Sequence, residues 1–156
     1  MRKISILFAT LGLVIAGVLL PVASAQASAA CDTAWRNATS GNFYAYRYDN
    51  CAGYLGSAAG NDANWGDSSG GFQGSDTNKA FSILHKGTSG LAVKVYDGTG
   101  YTGAYSCIKK SEYYVASLYD DSLTGGGPGT GPVRAFNSIS SHKWVSESDC
   151  YGAFLH

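Results

Sequence analysis

The sequence is short of the residues that most enzyme chemistry needs. Of 156 residues only 3 are histidine, and His85, His142 and His156 lie far apart in the chain. No C-x-x-C or H-x-x-x-H pair occurs, so a tetrahedral zinc site has no basis in the sequence. G-x-S-x-G and H-E-x-x-H are also missing, which removes the common signatures of serine hydrolases and zinc proteases. Asp120-Asp121 with Glu112 is the nearest approach to a carboxylate pair. Adjacent acids on a loop read as solvated surface. No catalytic residue is assigned, and no enzyme is expected. Methionine occurs once, and helix formers are few. Beyond Leu20 no stretch is apolar enough to span a bilayer.

The one long apolar run stands at the start. Met1-Arg2-Lys3 precedes Ile4 to Leu20, Pro21 breaks the run, and Val22-Ala23-Ser24-Ala25 supplies a small-residue exit. This predicts a secretory signal peptide over residues 1–25, cut before Gln26, and a soluble, exported product. Loss of Arg2 and Lys3 with the leader leaves nine basic residues against eleven acidic ones. That balance argues against nucleic acid or an anionic membrane as partner, since both are gripped through clustered Lys and Arg. The remainder suits one domain of ordinary size, expected as a monomer. Its cysteines are Cys31, Cys51, Cys107 and Cys150, an even set in an oxidising compartment, so two disulfides are expected. Three pairings are open. Cys31–Cys51 with Cys107–Cys150 is favoured, because each bridge then ties a terminal segment to a predicted hairpin.

Glycine (21) and tyrosine (11) are abundant, which points to an all-β chain. Residues 26–41 are small and polar apart from Trp35 and read as an extended amino-terminal arm. Tyr44, Tyr46 and Tyr48 then alternate along one face of a strand, with Phe43 on the other. A turn at Asp49-Asn50-Cys51-Ala52-Gly53 leads to Tyr54 and Gly56. A second hairpin reads Tyr96-Asp97-Gly98-Thr99-Gly100-Tyr101-Thr102-Gly103. Tyr54 to Tyr101 and Gly56 to Gly103 each span 47 positions, a period that signals a duplicated unit. The copies run over about 42–86 and 91–145, making one domain over 42–145 with a packed tail at 146–156. Each copy reads as strand, turn, strand, loop, strand. Two such units stacked face to face make a sandwich with an aromatic core. The loop Thr124 to Pro132, TGGGPGTGP, reads as a mobile, exposed insertion.

The spacing Tyr96-x4-Tyr101-x-Gly103, repeated with one extra residue as Tyr48, Tyr54 and Gly56, resembles the βγ-crystallin Greek-key motif. With a leader and four cysteines, the chain resembles the secreted bacterial peptidase-inhibitor branch of that superfamily, inhibitor family thirty-six. The resemblance implies a sandwich of two four-stranded Greek keys and steric blockade of an extracellular protease, a metalloprotease above all. It carries over no inhibitory loop; Thr124 to Pro132 is the obvious protrusion. Relatives also imply calcium binding through an Asn/Asp-Asn/Asp-x-x-Ser/Thr-Ser return segment. Here the first return ends Phe81-Ser82, with Phe81 in place of the liganding hydroxyl, and the second ends Ser140-Ser141. The calcium site so implied is weak: Ser140 with Asp49 or Asn50 of the partner turn. Ser82 and Ser141 have a competing structural role, bonding the folded hairpins. The alternatives to inhibition are a calcium- or carbohydrate-binding module and an antimicrobial toxin. Among the aromatic residues, Trp65 and Tyr119, both beside loops, are the expected exposed ones.

Overall fold

The computed structural model describes residues 23–156, with side chains from residue 29 onward. The leader expected over 1–25 lies almost wholly outside the described residues. The described residues open with helix α1 (Ala23–Asn37), followed by strands β1 (Phe43–Tyr48), β2 (Ala52–Ala58), β3 (Ser82–His85), β4 (Ala92–Tyr96) and β5 (Tyr105–Ile108). Four further strands are β6 (Tyr114–Val115), β7 (Ser122–Leu123), β8 (Val133–Arg134) and β9 (Ser141–Val145). One sheet has the order β2-β1-β3-β6, the other β5-β4-β9, and β7-β8 form a separate ribbon. All of these pairings are antiparallel.

The two copies exchange edges. β6 belongs to the second copy but pairs with β3 of the first. Reciprocally, Asp62 of the first copy bridges His142 on β9 of the second. Alternation along the strands sends Phe43, Ala45, Ile83, Val93, Val95 and Ile108 into one shared core, where Trp65, Phe72, Leu118 and Leu155 join them. Each large apolar side chain buried there contributes about 1.5–3 kcal/mol.

Hydrogen bonds show the duplication more sharply than the sequence does. Ser82 Oγ donates to Tyr48 O (2.7 Å) and accepts from the Cys51 N–H (3.0 Å). Ser141 Oγ donates to Gly98 O (2.6 Å) and accepts from the Tyr101 N–H (3.2 Å). The Asn50 N–H donates to Ala116 O and the Gly100 N–H to Ala63 O, both at 2.7 Å. In the returns, the Asn78 N–H donates to Ile139 O and the Asn137 N–H to Ala80 O, both at 2.9 Å. Ser82 and Ser141 therefore have the hairpin-bonding role.

The same bonds correct the register of the first copy. Tyr46 pairs with Ser82 as Tyr96 pairs with Ser141. Left-handed φ angles recur at Asn50, Cys51 and Gly53 and at Gly100, Tyr101 and Gly103. The true counterparts of Tyr96, Tyr101 and Gly103 are thus Tyr46, Cys51 and Gly53, with no extra residue. Tyr48 and Tyr54 are exposed, and Gly56 leaves room for Phe72 instead. The aromatic at the second motif position is replaced in the first copy by a disulfide cysteine, so a search for tyrosines slid the register.

The arm is also corrected: it is helical. Alanine is the best helix former and fills much of Ala23–Asn37. Cys31, Ala34, Trp35 and Ala38 recur at helical spacing. The last three pack on the outer face of the first sheet, against Tyr44, Tyr46 and Leu84. The Cys31–Cys51 disulfide fixes α1 to the first hairpin, and Cys107–Cys150 fixes the tail to β5, the pairing favoured from sequence. In the tail, Phe154 packs beside the second disulfide and Leu155 enters the main core. Each sheet therefore has its outer face partly covered by a terminal segment held by one disulfide.

Candidate functional site

The longest fully exposed run among the residues whose burial is described lies in the loop between β7 and β8. Residues 126–132 are exposed throughout, yet the loop is pinned at its feet. Gly125 and Tyr105 exchange two backbone hydrogen bonds, at 2.8 and 2.9 Å. Ser106 Oγ donates to Ser122 O (3.0 Å) and accepts from the Thr124 N–H (3.1 Å). At the tip the Thr130 N–H donates to Gly127 O (3.0 Å), closing a turn with Pro128 and Gly129 at its centre. Gly129 has φ +87°, and proline followed by such a glycine suits a type II turn. Proline and the closing bond offset part of the conformational freedom that glycine brings. Beneath it runs β5, which carries Cys107 and is held by the disulfide to Cys150.

The oxygens expected to hold calcium do not come together as a set. Ser140 lies at the second hairpin, where its N–H donates to Tyr96 O. Its hydroxyl donates to Asn78 Oδ1 and accepts from Thr77 Oγ1, both at 3.0 Å. Asp49 and Asn50 lie at the first hairpin, where the position equivalent to Ser140 is Phe81, packed against Phe136 at 5.5 Å between ring centroids. One end is therefore oxygen-rich and its counterpart aromatic. At the oxygen-rich end Asp97 Oδ1 is buried and lacks a hydrogen-bond partner among the described residues. It occupies the space that a Cβ on Gly103 would fill. A buried polar oxygen without a partner is uncommon in a folded protein. Asp97 was not among the oxygens expected from sequence, because Ser140 was paired with the opposite turn.

Trp65, expected to be exposed, is completely buried. It stacks on Phe72 with centroids 4.0 Å apart, and its indole N–H donates to His142 Nδ1 at 2.9 Å. The Gly-rich loop around it folds inward because the Asp62 carboxylate accepts the N–H groups of Asn64, Gly71 and Phe72. His142 donates from Nε2 to Gly60 O, and burial pushes its pKa down to about 3. His85 is likewise buried, accepting from the Gly87 N–H and donating to Leu91 O, with its pKa lowered chiefly by burial. Both imidazoles are neutral core residues. Tyr119 is exposed and stacks on Phe136. Asp121 accepts from the His156 N–H, and burial raises its pKa.

A concavity of about 410 Å³ lies between α1 and β6 and is lined by Asp32, Trp35, Arg36, Tyr113 and Tyr114. The sequence placed Trp35 on an extended arm and gave no reason to bring it beside Tyr113. Among the described residues no group of three or more His, Cys, Asp or Glu side chains is placed to hold a metal, and no helix is long and apolar enough to cross a membrane.

Comparison by sequence finds no matching family model and no matching curated protein. Comparison by structure finds similarity to a solved chain described under "Evolution of the eye lens beta-gamma-crystallin domain fold". The two are 14% identical, with a TM-score of 0.50, over 70% of this chain and 90% of that one. The all-β sandwich of two Greek keys, held by two disulfides, is thus βγ-crystallin-like. Such a likeness speaks to fold alone, since one fold carries many functions.

Proposed function

We propose that this is an extracellular protein that blocks a protease sterically, presenting the loop between β7 and β8 to the enzyme's cleft. The observation that supports the reading is the exposed Pro128–Gly129 turn standing on pinned feet and a disulfide-held strand. A loop already ordered in its bound shape loses less entropy on docking, and the difference goes into affinity. Two disulfides and the lack of a membrane-crossing helix among the described residues are compatible with an extracellular setting. The test is a titration of the purified protein against a thermolysin-type metalloprotease and a subtilisin-type serine protease. Stoichiometric inhibition of one of them is expected. Uninhibited turnover across broad panels of both classes contradicts the reading.

A second reading, calcium binding at the second hairpin, is favoured by the unpartnered Asp97 Oδ1. Asp97, Asn78 and Ser140 would hold the ion, which would supply cross-links between the two copies. A ligand that binds only the folded state raises its stability, by about 2.7 kcal/mol at a hundred times its Kd. Melting in millimolar calcium against chelator is expected to show such a rise, and Asp97→Asn to abolish it. An unchanged melting temperature ends this reading.

A further inference from the structure

The loop between β7 and β8 holds more glycine than its own conformation requires, and we propose that it is shaped for an endoprotease that cleaves glycine- and proline-rich chains. This rests on protease blockade by that loop and names the class of enzyme that the loop fits.

Two observations carry the inference. The first separates the glycines that the structure needs from those it does not. A Cβ on Gly125 would overlap the Tyr105 ring, one on Gly126 would overlap Thr130, and Gly129 has φ +87° at the turn. Gly127 and Gly131 are different. Neither has a left-handed φ, and a Cβ on either would stand in open space. Both residues are exposed. Glycine has more backbone freedom to lose on folding than any other residue, so a glycine that the conformation does not require weakens the fold. At these two positions neither crowding nor backbone conformation excludes a side chain. A partner that meets the loop and admits no side chain there does exclude one.

The second observation is what the loop offers to an enzyme. From residue 126 to residue 132 the side chains are those of Pro128, Thr130 and Pro132, none of them charged, aromatic or long. A protease pocket that selects a large or charged side chain finds nothing here to fill it, and interface affinity comes chiefly from filled pockets. The loop presents bare main chain on both sides of Pro128 instead. The Thr130 N–H bond to Gly127 O and the bonds between Gly125 and Tyr105 hold that main chain in place. Bare main chain fits a cleft whose walls come close to the substrate backbone and leave no room for a Cβ. Enzymes that cut beside glycine need such a cleft, whether their substrate is a Gly-Pro-rich chain such as gelatin or an oligoglycine bridge.

The test measures inhibition constants of the full protein against a gelatin-cleaving collagenase and a glycyl-glycine endopeptidase. A thermolysin-type and a subtilisin-type protease serve as comparators. At least one glycine-cleaving enzyme is expected to be inhibited tenfold or more tightly than either comparator, and which one it is tells Gly-Pro chains from oligoglycine. Gly127→Leu is expected to keep the parent's melting temperature, since its side chain has open space, and to weaken that inhibition at least tenfold. Gly131→Leu is expected to do the same and takes its place if Gly127→Leu fails to fold. A comparator inhibited as tightly as the glycine-cleaving enzymes overturns the proposal and leaves protease blockade standing. So does a folded leucine variant that inhibits as well as the parent. Uninhibited turnover by all four enzymes also overturns it, and the broader panels then decide blockade itself.

Discussion

His142 fills the centre of the molecule without carrying charge. Its folded pKa of about 3 lies far below the ordinary 6.5. Between those values the unfolded chain binds a proton that the folded chain refuses. The stability due to His142 is therefore complete above pH 6.5 and falls, by about 1.4 kcal/mol per pH unit, as pH drops toward 3. His85 acts in the same direction. The melting temperature is predicted to fall steadily from pH 7 to pH 4. His142→Gln is predicted to be less stable at pH 7, by about 1–3 kcal/mol for the orphaned Trp65 N–H, but to lose less on acidification. Equal pH slopes in the two proteins would count against this account. Gly103 and Gly53 belong to the same scale. Both have left-handed φ, and a Cβ would overlap Asp97 at the first and the Tyr48 ring at the second. Gly53→Ala and Gly103→Ala should each lower stability by more than about 1 kcal/mol in chemical denaturation. Gly103 was legible in the sequence because two tyrosines frame its hairpin. Gly53 was not, because a cysteine had taken the framing position.

Among the elements, α1 was the hardest to read. Its small, polar residues resemble a linker, while its face of Cys31, Ala34 and Trp35, continued by Ala38 just past its end, is narrow and half alanine. What marks it as structure is the disulfide and the tyrosine face that it covers, and both are tertiary facts. Replacing Cys31 and Cys51 together with serine should cost about 2–4 kcal/mol and expose Tyr44 and Tyr46. Protease nicking before residue 43 should then precede global unfolding. If the double variant resists nicking as well as the parent does, the bridge does not hold the helix. The β4–β5 hairpin was the easiest element to read, since alternating β-branched residues and turn glycines all point one way. Trp65 was misjudged for a local reason. Its loop is polar, and it is turned inward by the Asp62 carboxylate, which accepts three N–H groups, and by the Trp65 backbone N–H donating to Ser140 O.

At the scale of the whole molecule, duplication governs the architecture, and divergence between copies governs the candidate sites. Matched bonds tie each hairpin to its own return and to the other copy's edge. One hairpin end kept its oxygens, at Asp97, Asn78 and Ser140, while the other became aromatic, at Phe81 and Phe136. Only the second copy carries the Thr124–Pro132 insertion, and among the described residues only the first is covered by an α-helix. The sequence revealed the doubling and the fold through the well-kept Tyr96-x4-Tyr101-x-Gly103 hairpin and the two Ser-bearing returns, although the residues matched to that hairpin in the first copy stood two or three positions out of register. It could not reveal which turn faces which return, since that depends on how the copies dock. The central claim is that the Pro128–Gly129 loop carries protease blockade. It is tested most directly by replacing residues 126–131 with Asn-Gly and comparing inhibition constants and melting temperatures with the parent. The account predicts a loss of inhibition of at least a hundredfold at an unchanged melting temperature, because the pinned feet remain. Undiminished inhibition by the shortened protein would contradict it.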